Sequence, residues 1–118
     1  MIKRVNFVSI PVQDHDRALA FYTQKAGFKV FTDQTMGKMR WIELTIPGAE
    51  TRVVLHQNGQ APSTTTPALA LIADDVQQTY ADLRGKGVEF TQPPKKEAWG
   101  EHAIFKDSEG NLILFAKG

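Results

Sequence analysis

Short apolar runs alternate with polar turns along the chain, and the first half is typical of a strand, a helix and three further strands. Residues 5–12 are rich in apolar and β-branched side chains, which indicates a strand. Asp14 is a good helix N-cap, and apolar residues then recur at helical spacing until Gly27, which supplies the stop. Three further strands are predicted, at residues 28–32, 40–46 and 51–56.

The second half repeats this order of elements. Residues 57–66 are polar and rich in turn formers, which indicates a linker. Beyond it, a helix capped by Asp74 or Asp75 is predicted, as well as a loop containing Pro93 and Pro94. The strands of this half are predicted at residues 68–73, 88–91, 102–106 and 112–116. An offset of 60 residues overlays the halves and matches Asp14 with Asp74.

The two halves therefore predict a duplicated βαβββ module. We assign module one to residues 1–56, the linker to residues 57–66 and module two to residues 67–118, within a single domain of residues 1–118. A module of about 55–60 residues leaves one sheet face that it cannot cover alone, so we expect two modules to pack together.

Composition and charge exclude several classes of function. The chain has 118 residues and a net charge of +1, which gives no electrostatic reason to expect nucleic acid or an anionic membrane as a partner. The absence of cysteine excludes disulfides, thiolate metal sites and cysteine nucleophiles. No apolar run approaches the length of a membrane span, and the N-terminal segment lacks the apolar core of a signal peptide. We therefore expect a cytoplasmic protein.

The order and spacing of several short motifs resemble the vicinal oxygen chelate superfamily, which includes glyoxalase I, the extradiol dioxygenases and the bleomycin-resistance proteins. The first module carries Val12, Asp14, Arg17, Ala18, Phe21, Tyr22, Gly27 and Phe28. The second carries Asp75, Val76, Tyr80, Leu83, Gly87, Val88 and the turn at residues 107–111. In that turn Ser108 stands where the superfamily usually has proline. The resemblance covers essentially the whole chain.

The resemblance implies an α+β fold of two βαβββ modules. Their curved mixed sheets would form a cup, with the helices on the convex side. Members of the superfamily are usually homodimers, so the resemblance also implies a homodimer.

The superfamily's enzymes hold a divalent metal in the cup, with ligands from the first and fourth strands of each module. Carried onto this sequence, the first position is Phe7 and the second is Leu55, or His56 after a one-residue slip. The third is Ala68, or Pro67 by the offset of 60, and the fourth is Leu114. Apolar side chains cannot ligate a divalent cation. We therefore expect no metal or other cofactor, although His56 leaves a divalent metal open.

Apolar residues at these positions would instead line the cup. Phe7, Leu55 and Leu114 would form an apolar floor, which suits an apolar or aromatic small molecule. Strand alternation places Ser9 on the same face as Phe7, and places Trp41 and Glu43 together.

Trp41 and Trp99 are the best candidates for stacking on a ligand. Trp99 lies in a loop that contains two prolines and a glycine, a poor place for a core residue. The alternative for both residues is an aromatic at the rim of the cup or at a dimer interface.

Glu43 and His102 are the candidate catalytic residues. Beside Trp41 and above Phe7, the Glu43 carboxyl would be partly desolvated, which raises a carboxyl pKa and suits a general base. The alternative is an exposed strand glutamate at a sheet edge. His102 is a candidate polar contact for a ligand, a base or a structural histidine. Arg52 would either neutralise an anionic ligand or pair with Glu50.

Two functions from different classes follow. The first is a metal-free homodimeric protein that binds an apolar or aromatic small molecule, similar to the bleomycin-resistance branch. The second is a superfamily enzyme, a glyoxalase-type lyase or isomerase or a dioxygenase. It would use an unconventional metal site around Glu43, His56 and His102, or work without metal with Glu43 or His102 as base.

Overall fold

The computed structural model describes residues 1–118, which form eight strands and two helices. The first unit contains β1 (Phe7–Pro11), α1 (His15–Gln24), β2 (Lys29–Met36), β3 (Met39–Thr45) and β4 (Arg52–His56). The second contains β5 (Leu69–Ala73), α2 (Val76–Gly85), β6 (Phe90–Glu97), β7 (Gly100–Lys106) and β8 (Leu112–Lys117). The chain divides into two compact units, residues 1–60 and 61–118, and this boundary falls inside the segment predicted as the linker.

Each unit holds one open, mixed, four-stranded sheet. The strand order is β1-β4-β3-β2 in the first unit and β5-β8-β7-β6 in the second. In both sheets the first strand runs parallel to the fourth, and the remaining pairs are antiparallel. Helix α1 contacts β2 and β4, while α2 contacts β6, β7 and β8, so each helix covers one face of its own sheet. The predicted α+β fold with a duplicated βαβββ module is confirmed.

Local signals set the helix starts. The Asp14 carboxylate accepts a hydrogen bond from the backbone N–H of Arg17 at 3.0 Å, and Asp75 does the same for Gln78. These bonds satisfy amides that have no partner within the helix. Because Asp75 is the cap and Asp74 is not, the helices are related by an offset of 61 residues, and the predicted match of Asp14 with Asp74 is wrong.

The face of each sheet beneath its helix forms the core of the unit. In the first unit this core consists of completely or almost completely buried residues on strands and helix: Ile10, Tyr22, Ile42, Leu44, Val53 and Leu55. In the second unit an aromatic cluster lies between α2 and the sheet. It consists of Tyr80, Phe90, Phe105 and Phe115, whose ring centroids lie 4.7–6.0 Å apart.

Strand β6 differs from the sequence prediction. A loop was expected at Pro93 and Pro94, but the strand continues through both prolines. Its register against β7 shifts between Gln92 and Lys95, where the prolines lie. Strand β6 is at the edge of its sheet, where the missing proline N–H groups break no ladder. Neither helix is long and apolar enough to cross a membrane.

Candidate functional site

Each sheet has a second face, opposite its helix, which we call the open face. In the first unit, Ser9 and Glu43 both lie opposite Val54 in the strand register. Residues directly opposite each other on paired strands point to the same side of the sheet. The neighbouring positions Ile10, Ile42 and Leu55 lie on the helix-covered side by the same argument.

The open face of the first unit carries a connected set of aromatic and charged side chains. Phe7 meets Trp41 edge to face, with ring centroids 5.6 Å apart. The indole Nε1 of Trp41 donates to Glu43 Oε2 at 2.8 Å, and Arg52 Nη1 lies 3.4 Å from Glu43 Oε1. The Arg52 guanidinium also lies 3.4 Å above the Phe31 ring, in a cation–π contact.

These contacts define what Glu43 does in the folded chain. Its side chain is 16% exposed on an inner strand, so the alternative of an exposed glutamate is wrong. Both carboxylate oxygens are engaged, one by the indole of Trp41 and the other by Arg52. Glu43 therefore orients Trp41. Arg52 does not pair with Glu50, whose carboxylate lies 3.4 Å from Arg4 instead.

The open face of the second unit is centred on His102. The imidazole is 7% exposed, and the Gln92 side-chain amide donates to its Nε2 at 2.7 Å. The Trp99 ring packs over it with centroids 4.4 Å apart and an interplanar angle of 33°. The His102 Nδ1 atom is buried without a hydrogen-bond partner. Leaving a buried polar group unpaired costs about 1–3 kcal/mol of stability, so buried polar atoms without a partner are rare in folded proteins.

Trp41 and His102 occupy the same position in the two modules. The hairpin of the first unit closes at the pair Met36 and Met39, and that of the second closes at Glu97 and Gly100. Trp41 and His102 each follow the closing residue by two positions, which places both rings on open faces. Each module therefore has a ring at the same point of its third strand, and in the second module Trp99 covers this ring.

The strand register corrects one predicted metal position. Leu55 was expected in the cup, but it is 1% exposed and lies opposite Ile10 and Ile42 on the helix-covered side. The 61-residue offset makes Ile104 the counterpart of Glu43. Because Glu43 lies opposite Val54 and Ile104 lies opposite Leu114, Val54 is the residue of the first module that corresponds to Leu114.

The residues present do not fit the superfamily's divalent metal. The equivalent positions in the two modules are all apolar: Phe7, Val54 and Leu114 on strands, and Ala68 directly before β5. No three histidine, aspartate or glutamate side chains come together in a way that could hold a metal ion.

His56 belongs to a different surface. With His15, it lines a depression of about 270 Å³ beside the hairpin of the first unit. His15 Nε2 lies 3.2 Å from the carbonyl oxygen of Leu55. Arg40, in the same depression, pairs with Asp33 and Asp16 at 2.8 and 2.7 Å. The hydrogen bond from Arg40 lowers the pKa of the Asp33 carboxyl.

Replacing Arg40 with methionine should destabilise the protein in a pH-dependent way. Asp33 has a lowered pKa when folded, so its contribution is present above the unfolded pKa and is lost as pH falls through the folded value. The pair is partly exposed, so we expect a loss of about 0.5–1 kcal/mol at pH 7 that disappears near pH 2. Urea unfolding at both pH values measures it. The control Arg84→Met removes an arginine that bonds a tyrosine hydroxyl, and it should show no such pH dependence.

Comparison with known proteins identifies the family. The family model of the Glyoxalase/Bleomycin resistance protein/Dioxygenase superfamily matches residues 4–115. The chain therefore belongs to this superfamily, as the motif spacing indicated.

Similar proteins match along nearly their whole length. YetH of Bacillus subtilis (strain 168) is 33% identical over 117 residues, which cover 97% of this chain and 98% of YetH. The crystal structure of UcmS2 has a TM-score of 0.88 at 33% identity and full coverage of both chains. The crystal structure of TnmS3, an antibiotic binding protein from Streptomyces sp. CB03234, has a TM-score of 0.88 at 34% identity. That match covers 98% of this chain and 96% of TnmS3.

The structure places most of the predicted site residues on open faces. Phe7, Ser9, Trp41 and Glu43 share that of the first unit, while His102 and Leu114 share that of the second, with Trp99 packed on His102. Sequence reasoning missed two participants, Phe31 and Gln92. Phe31 lies within a predicted strand, but the sequence does not show which residues of other strands it contacts. Gln92 lies where a loop was expected.

Proposed function

We propose that this protein binds a planar aromatic small molecule against an open sheet face, without a metal. The observation that carries the proposal is an aromatic ring on the open face of each module, Trp41 in one and the exposed Trp99, packed over His102, in the other, beside apolar residues at the superfamily's metal positions. Aromatic rings on a rigid sheet offer a large stacking surface that loses little conformational entropy on binding.

Exposure and relatedness support this proposal. Phe7 is 38% exposed and Trp99 is 62% exposed, although both are large apolar side chains in contact with another ring. Exposed apolar surface of this kind marks binding sites. The similarity to TnmS3, an antibiotic binding protein, supports an antibiotic-like molecule as the ligand class. Catalysis by Glu43 has less support, because both of its oxygens already have partners.

The proposal includes a cytoplasmic homodimer. Apolar side chains along the hairpin of the first unit are about half exposed, at 48% for Val30, 59% for Met36 and 52% for Met39. A second copy of the chain would cover such a surface. Light scattering after gel filtration tests this part, since a particle of 13.1 kDa would contradict it.

Replacing Trp41 with leucine should weaken the binding of planar aromatic compounds by about tenfold, the usual worth of one stacking ring. Equilibrium dialysis against a panel of two-, three- and four-ring aromatics, including polyketide antibiotics, measures the affinity. Tyr80→Leu is the control, because it removes a ring that packs on the helix side of the second sheet.

Two results would contradict this proposal. One is that no compound of the panel binds the wild-type protein, and the other is that Trp41→Leu binds as tightly as wild type. Prior dialysis against a chelator should leave the affinity unchanged. Stoichiometric metal retained by untagged protein after dialysis would overturn the metal-free part of the proposal.

A further inference from the structure

We infer that His102 donates a hydrogen bond through Nδ1 to an acceptor oxygen on the ligand, so that this protein selects aromatic carbonyl compounds. The inference rests on the proposed function and specifies its ligand. Its basis is an atom that the folded chain leaves without a partner: Nδ1 of a histidine that is more than nine-tenths buried.

The contact with Gln92 determines which nitrogen carries the proton. The Gln92 amide donates to His102 Nε2 at 2.7 Å, so Nε2 acts as the acceptor. In a neutral imidazole only one nitrogen carries hydrogen, and it must then be Nδ1. The unpaired atom is therefore a donor, and its complement is a carbonyl or phenolate oxygen.

Strand β8 offers no acceptor side chain to this donor, and the residue opposite His102 on β6 is Lys95, whose ammonium group is itself a donor. The residue opposite His102 on β8 is Ala116, and the next open-face pair along the two strands is Ile104 and Leu114. All three are apolar. They provide an apolar surface beside a single buried donor, an arrangement typical of small-molecule sites, in which a few polar groups fix the orientation of the ligand.

Trp99 covers the flat side of the imidazole. Its ring lies 4.4 Å from that of His102, in a two-residue turn between β6 and β7, and it is 62% exposed. With Trp99 over the ring face and Gln92 on Nε2, the ring nitrogen that has no partner is Nδ1, and it is buried. To reach Nδ1, the oxygen of an aromatic carbonyl compound would have to displace the Trp99 indole from part of the imidazole, and the rings of the compound would then pack against this indole.

A matched pair of probes tests the inference. 9-Fluorenone and fluorene have nearly the same planar shape, but only fluorenone has a carbonyl oxygen. We expect the ratio of their affinities, measured by equilibrium dialysis, to favour fluorenone about fivefold more in wild type than in His102→Phe, which keeps a ring and removes the donor. His102→Asn places an amide N–H near the position of Nδ1 and should restore part of the preference.

A second measurement does not depend on the folding of a variant. Long-range proton–nitrogen NMR of the wild-type protein should show the Nδ1-protonated tautomer of His102, and fluorenone should shift this resonance while fluorene should not. The inference is overturned by the Nε2-protonated tautomer, by equal shifts with both probes, or by an affinity ratio that His102→Phe leaves unchanged. If neither probe nor any panel compound binds, the proposed function itself fails. If both probes bind with no role for Nδ1, only the inference about His102 fails.

Discussion

Replacing Phe105 with alanine should lower the free energy of unfolding by about 3–5 kcal/mol, a large part of the roughly 5–15 kcal/mol that stabilises a domain. Phe105 is 2% exposed and packs against Phe90 and Phe115 beneath α2, with centroids 5.8 and 6.0 Å away. The truncated side chain would leave a cavity that the surrounding rings cannot fill without leaving their rotamers.

Urea unfolding followed by circular dichroism measures this loss. Phe31→Ala is the matched control, because Phe31 is 52% exposed on the edge strand β2 and its removal leaves no cavity. We expect the control to lose less than about 1 kcal/mol. Equal losses in the two variants would show that the aromatic cluster does not stabilise the second unit as described.

Replacing Asp107 with alanine should cost a comparable amount, about 3–5 kcal/mol. The Asp107 carboxylate accepts hydrogen bonds at 2.8 Å from the backbone N–H groups of Glu109 and Asn111, and at 3.0 Å from the Asn111 side-chain amide. All three residues are at least nine-tenths buried, so water cannot replace the lost acceptor. Gly110 completes the turn with a φ of +86°.

The same urea experiment measures the effect of this change. Asp107→Asn keeps one carbonyl oxygen for the backbone amides and should lose an intermediate amount. Asp82→Ala is the surface control, since the Asp82 carboxylate holds only the exposed side chain of Gln78. A loss in Asp107→Ala no greater than in Asp82→Ala would refute the role of the carboxylate in holding this turn.

Placing the second metal position at Val54 favours ligand binding over metal-dependent catalysis, because this position is apolar. Sequence alignment left His56 open as a metal ligand, but the internal symmetry of the two modules assigns the second position to Val54. His56 lines a separate depression with His15 and Arg40. On the open face of the second unit, His102 Nδ1 is buried without a hydrogen-bond partner.

Features that depend on neighbours in the chain were predictable from the sequence. The Asp14 cap and the positive φ of Gly27 are local, because they involve residues within one helical turn. Strand alternation is also local, so Trp41 and Glu43 could be placed on one face together. The duplication of the βαβββ module followed from the order of these local signals.

Only the tertiary structure decided which residues face each other across strands. Alternation divides a strand into two faces, but a slip of one residue exchanges them. Only the pairing of Leu55 with Ile42 shows that Leu55 shares a face with Ile42. The contact of Gln92 with His102 and that of Arg52 with Phe31 join residues ten and twenty-one positions apart on different strands. Such contacts depend on sheet register, which hydrogen bonding between distant segments determines and which no local pattern in the sequence records.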